Sequence, residues 1–125
     1  MRSHVRLSDG ELKIMETVWA AGAPMTSTEL ALAVGSSSLP ALMTQLSRLC
    51  QKGVLCCDRS TRQNLYSAVL SAEEVRAAEG HSLLQRLCGS KVSSLVSALY
   101  DGQVIGKEDL AELRALIDRL EGVEK

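Results

Sequence analysis

Ala41, Thr44, Gln45 and Arg48 recur at helical spacing, and the chemistry they could do together is recognition of base edges and phosphates. A methyl group of Ala or Thr packs on the thymine methyl, and a Gln amide pairs with adenine N6 and N7. The stretch that carries them, Leu39–Gln51, contains no Asp or Glu. A carboxylate on that face would meet phosphate oxygens, so its absence is what a duplex-facing helix requires. More hydrogen-bonding and cationic groups stand nearby. Ser37 and Ser38 precede the helix, and Arg59 and Arg62 bracket a basic turn, Arg59-Ser60-Thr61-Arg62. These four, with Arg48, are placed for phosphates, which orient a protein on duplex without reading its sequence. Arg48 has a second reading, an ion pair with Glu11 or Glu16 of the first helix. Lys52 reads as a solvated charge at a helix C-terminus, and Tyr66 as a core residue beside the turn.

The other reactive residue types assemble nothing comparable. His4 and His81 stand alone, with no Cys-His pairing, no His-Glu-x-x-His and no glycine-rich phosphate loop. No catalytic residue is assigned, and an enzyme is not expected. Cys50, Cys56, Cys57 and Cys88 match no zinc spacing, so neither a metal site nor a cofactor is expected. Cys50 and Cys88 fall on apolar helix faces and read as small hydrophobes. Cys56 and Cys57 are adjacent in a strand, so one side chain should be buried and the other exposed. A redox or metal role for the exposed thiol stands as the alternative to an inert one.

The elements that must position these groups follow from caps and periodicity. Ser8 with Glu11 forms a capping box, and Leu7 and Leu12 can staple it, opening a helix over Asp9–Ala21 that should bury Leu12, Met15, Val18 and Trp19. Gly22 and Pro24 stop it. A second box, Thr26 with Glu29, opens a short helix to Val34, with Leu30, Ala33 and Val34 inward. The third helix, Leu39–Gln51, has Leu39, Leu42, Met43, Leu46, Leu49 and Cys50 on its apolar side, and Gly53 ends it. Val54–Asp58 and Gln63–Val69 then read as a hairpin. That order is a winged helix-turn-helix, with residues 1–70 as a winged-helix DNA-binding domain.

Residues 71–125 read as a helical dimerisation domain. A third box, Ser71 with Glu74, opens a helix to Leu87 or Cys88, followed by helices at Lys91–Tyr100 and Lys107–Glu121. Their apolar stripes carry Leu83, Leu84, Leu87, Leu95, Leu99, Leu110, Leu113, Leu116, Ile117 and Leu120. Three helices in this length do not easily close a core, and a second copy of the chain is the simplest partner. The alternative is a monomer whose tail folds back on the front. The fold class expected is therefore mainly α with a small β-hairpin.

Composition permits this reading. The chain has 125 residues, 46% hydrophobic, with Trp19, Tyr66 and Tyr100 as its aromatics. A core of Leu, Val, Ala and Met favours helices. No apolar run is long enough to span a membrane, so no membrane insertion is expected. No signal peptide is legible, and there is no disulfide framework, so a cytoplasmic location is expected. The net charge is −1, but residues 1–65 hold seven Lys/Arg against five Asp/Glu, while residues 66–125 hold seven against ten. A basic front and an acidic back suit a protein with one face toward DNA. The low pI of about 6.1 suits the alternative, a winged-helix protein-interaction module without DNA binding.

With the elements in place, the chain resembles the penicillinase-repressor (BlaI/MecI/CopY) family of bacterial winged-helix regulators. Leu7-Ser8-Asp9-Gly10-Glu11 through Val18-Trp19 fits the family's L-S-x-x-E-x-x-(I/V)-M-x-x-(I/V)-W pattern. Leu46 through Gly53 fits L-x-R-L-x-x-K-G, and Arg62 through Tyr66 fits the wing pattern R-x-x-x-Y. The resemblance runs from Leu7 to Leu120. It implies a dimeric repressor on a palindromic double-stranded DNA operator, held together by C-terminal helices. It also implies release by cleavage in the C-terminal part, through a membrane sensor metalloprotease. Departures are visible. Ala41 stands where the family often has Thr, Thr61 stands where a wing glycine is usual, and Ala98-Leu99 aligns with an Asn-Phe cleavage pair. The tail cysteines of a copper-responsive branch are replaced by Glu121-Gly122-Val123-Glu124-Lys125, so copper sensing is not expected.

Overall fold

The computed structural model describes residues 5–36 and 38–122. The elements run α1 (Asp9–Ala21), β1 (Met25–Thr26), α2 (Ser27–Val34), α3 (Leu39–Gln51), β2 (Leu55–Asp58), β3 (Leu65–Ala68), α4 (Ala72–Cys88), α5 (Val92–Asp101) and α6 (Lys107–Leu120). This is a winged helix-turn-helix followed by helices. The described residues form two compact units, one ending at Ser82 and the other beginning at Leu83, so the division falls inside α4.

The first unit is built on caps and one core. Ser8 and Glu11 bond each other's backbone N–H groups reciprocally, as do Thr26 and Glu29, and Ser71 and Glu74. Each box satisfies two of the N–H groups that a helix start leaves without partners. α1 ends at Gly22, whose φ of 66° is the left-handed conformation that closes the last turn. Ile14, Met15, Val18, Leu30, Leu42, Leu46 and Leu49 fill the space between the three helices. Val54, Leu55 and Tyr66 add the sheet, and Val75 and Ala78 bring the first half of α4 into the same core. Trp19 is half-buried, and its Nε1 donates to the Leu70 carbonyl at 2.9 Å. The Leu7 N–H donates to Glu79 Oε2 at 2.9 Å, tying the segment before α1 to α4.

The sheet is three-stranded and antiparallel, in the order β1-β3-β2. The hairpin strands are shorter than their sequence patterns suggest. β1 is an addition: Met25 pairs with Tyr66 and Thr26 with Leu65. Two inward faces also differ from expectation. In α1 the fourth buried position is Ile14, while Leu12 lies exposed at 36% and makes no buried staple with Leu7. In α2 Ala31 packs on the core and Ala33 faces out. In both helices the true stripe is rotated by part of a turn, set by where the neighbouring helix crosses.

The second unit is different in kind. Gly89 and Ser90 both have positive φ, 56° and 68°, and break α4 from α5. The Gly106 N–H donates to Asp109 Oδ2 at 2.9 Å at the start of α6. Leu95, Leu99, Leu110 and Leu113 are half-buried, but α5 and α6 contain no buried residue. Leu87, Val92 and Leu120 are well exposed.

Candidate nucleic-acid interface

α3 is amphipathic in the sense a reading helix needs. Ser38 caps it, its Oγ accepting from the Ala41 N–H at 3.3 Å. Pro40 sits in the first turn, where its missing N–H removes no helical bond. Leu42, Leu46 and Leu49 are buried, which turns Pro40, Ala41, Thr44, Ser47, Arg48 and Gln51 outward, all exposed. The Thr44 hydroxyl donates back to the Pro40 carbonyl at 3.0 Å, so it retains its acceptor lone pairs for a base or water. Gln45 stands on the flank, half-buried, with its amide against Gly10 of α1.

The ion pair that Arg48 was a candidate for is made by Lys52 instead. Lys52 Nζ lies 2.6 Å from Glu11 Oε1 and donates to the Arg6 carbonyl at 2.6 Å. Lys52 is therefore half-buried structure rather than a solvated charge. Glu11 is 2% exposed, and the same Oε1 accepts the Ser8 N–H at 2.9 Å. Burial pushes this carboxyl up, but the Lys52 hydrogen bond, the Ser8 backbone N–H and the charge of Lys52 outweigh it. The net result lies below the ordinary glutamate value. The consequence for the face is that α1's buried carboxylate is neutralised internally. Arg48 is exposed and has no ion pair among the described residues.

The wing places Arg59 and Arg62 in the exposed turn between β2 and β3. Asp58 Oδ1 accepts from the Ser60 N–H at 2.9 Å and from the Ser60 hydroxyl at 2.6 Å, which orders that turn. These hydrogen bonds hold its carboxyl below the usual aspartate range. The Asp58 charge beside two arginines has no counterpart in the sequence reading, nor does exposed Ser47. The signal for Ser47 was its position three residues after Thr44. Ser37 lies outside the described residues. Of the adjacent thiols, Cys56 is exposed, with its Sγ 3.3 Å from Ser67 Oγ, and Cys57 packs half-buried on the core. Among the described residues no group of His, Cys, Asp or Glu is arranged to hold a metal.

Three helices, a third-helix face without carboxylates and an arginine-tipped wing define a winged helix-turn-helix, a DNA-binding class of transcription regulator. The penicillinase repressor family model matches residues 7–119, and the chain belongs to that family, whose members are repressors and not enzymes. The penicillinase repressor of Bacillus licheniformis is 24% identical over 120 residues, covering 94% of each chain. An uncharacterized 16.5 kDa protein in the ptsI 3′ region of Latilactobacillus sakei is 25% identical over 113 residues, covering 89% of this chain and 77% of that one. Lactococcus lactis ZitR, a zinc-responsive MarR family member of solved structure, has 17% identity and a TM-score of 0.47, covering 95% of this chain and 77% of that one.

Proposed function

We propose that this chain is a dimeric repressor that grips a palindromic operator through the outward face of α3 and the wing. The observation that supports this most is that outward face itself. It exposes Ala41, Thr44 and Arg48 and carries no carboxylate. In a helix-turn-helix the early residues of the third helix meet base edges in the major groove. Ala41, Thr44 and Gln45 are assigned to base edges. Ser37, Ser38, Arg48, Arg59 and Arg62 are assigned to phosphates. The test is a mobility-shift titration over a range of salt concentrations. Arg48→Ala should weaken all duplexes alike and flatten the salt slope by about one unit. An unchanged slope, or a shift abolished by nonspecific competitor, would refute this docking.

The second copy is held by the tail. Leu83, Leu84, Leu87, Leu95, Leu99, Leu110, Leu113, Leu116, Ile117 and Leu120 are its assigned contacts. In support, Leu87 on α4 and Ile117 and Leu120 on α6 are large apolar groups left exposed. Two-fold symmetry then sets half-sites about one helical turn, or a multiple, apart. A cut at Ala98-Leu99, inside α5, would detach α6 and its leucines, which is a route to release by a membrane sensor protease. The repressor itself would work beside the chromosome, in the cytoplasm. Among the described residues no helix is long and apolar enough to cross a membrane.

A further inference from the structure

Glycine is a poor choice in a helix, yet Gly10 occupies the first turn of α1 in ordinary helical backbone. The position has a specific neighbour. A Cβ placed on Gly10 would overlap Gln45 Nε2 outright and touch Gln45 Cδ at 3.4 Å, and its three nearest neighbours all belong to Gln45. The missing methyl is therefore a notch, and the end of the Gln45 side chain occupies it. Gln45 sits on α3 between the buried row of Leu42, Leu46 and Leu49 and the outward row of Ala41, Thr44 and Arg48. Its amide is able to make a bidentate pair with adenine, and it lies nearer the start of α3 than the amide of Gln51. Where that amide rests is decided by α1.

We propose that Gly10 is a positioning residue for base recognition, acting on DNA preference through the seat it leaves for Gln45. The inference rests on the reading of α3 as the recognition helix. Seated on Gly10, the amide is confined to one rotamer before any duplex arrives, so less side-chain freedom is lost on binding. Substitution Gly10→Ala fills the notch. What it meets is the far end of a flexible side chain, so the helices need not move. Instead the amide is driven out of its seat. The protein should stay folded and read different sequence.

The test is a double-mutant cycle over Gly10→Ala, Gln45→Ala and both together, with two readouts on the full chain. The first is thermal melting without DNA. Gly10→Ala should lower the melting temperature or leave it unchanged in the parent, and raise it in the Gln45→Ala background, where alanine's better helix propensity acts unopposed. The second is affinity for a panel of duplexes differing at single base pairs. Gly10→Ala should shift the preference at one base pair by roughly tenfold in the parent, and by less than about twofold once Gln45 is alanine. An equal melting shift in both backgrounds, or an equal change in base preference in both, overturns the proposal. If the melting cycle shows the coupling and no variant discriminates among duplexes, the recognition-helix reading fails and with it any role for Gly10 in recognition. If duplexes are discriminated without coupling, the recognition-helix reading survives and the Gly10 role does not.

Discussion

Residues 39–51 and 107–120 are both amphipathic helices of similar length with leucines at helical spacing, yet they meet different fates. In α3, Leu42, Leu46 and Leu49 are buried against α1, α2 and β2, and Leu46 has no exposed surface. In α6 no residue is buried, and Leu120 is 76% exposed. The same periodicity thus marks a face that must be covered without saying what covers it. In the first unit the cover is in the same chain, because capped helices with short turns bring three apolar stripes to one centre. In the second unit two short helices and the end of α4 leave too little apolar surface to close on itself. The first unit is a complete fold with one polar face left over, and the last two helices of the second contain no buried residue.

The contrast can be broken from the tail first. Ile117→Asp with Leu120→Asp alters exposed positions, so the first unit should melt as before. Sedimentation should show monomers in place of dimers. Operator affinity should fall by about 10²–10⁴-fold, the advantage that two linked sites have over one. Unchanged sedimentation would mean that the tail is not the dimer contact.

The same change in the front should act through stability. Leu46→Ala should cost about 2–5 kcal/mol in urea unfolding, because a fully buried leucine leaves a cavity. Leu120→Ala, measured at a concentration where the chain is monomeric, should cost under about 0.5 kcal/mol. Equal costs would erase the distinction between the two units. A comparable loss, about 3 kcal/mol, is expected for Lys52→Met, which leaves the Glu11 carboxylate buried without its cation. Because the Glu11 carboxyl is held below its ordinary value, this pair's stabilisation is fully present above the unfolded value. It is lost as pH falls through the lowered one. An acid titration of stability should show that loss in the parent and a weakened form of it in Lys52→Met.

On the polar face the effects are smaller and selective. Thr44→Ala should cost roughly 1–3 kcal/mol at particular base pairs and little elsewhere. Arg62→Ala should weaken all sequences similarly and reduce the salt slope by about one unit. Competition binding on single-base-pair variants separates the two patterns.

How much of this was legible before any coordinates divides along physical lines. Helix starts were, because Ser8-Glu11, Thr26-Glu29 and Ser71-Glu74 are local devices whose partners sit three residues apart. The bounds of α1 follow from Ser8-Glu11 and Gly22, and those of α3 from its apolar periodicity and Gly53. The strand Met25–Thr26 was not, since two residues acquire strand character only by pairing with Leu65 and Tyr66 far along the chain. The partner of Glu11 was sought at Arg48, but it is Lys52, four residues on. Both basic residues lie within reach of α1 in principle, and only the crossing of α1 and α3 decides between them. The same crossing rotates the inner face of α1 from Leu12 to Ile14, and it seats Gln45 on Gly10. The outward row of Ala41, Thr44 and Arg48 was legible because one face of a helix needs no knowledge of its neighbours.

Selection from a pool of random duplexes tests the central claim most directly. The full-length chain should enrich sequences with two-fold symmetry, whose half-sites lie a whole number of helical turns apart. The Ile117→Asp, Leu120→Asp chain should enrich single half-sites weakly or none. Enrichment of an asymmetric site by the parent, or of nothing above the starting pool, would contradict a paired reader built from α3 and joined through its tail.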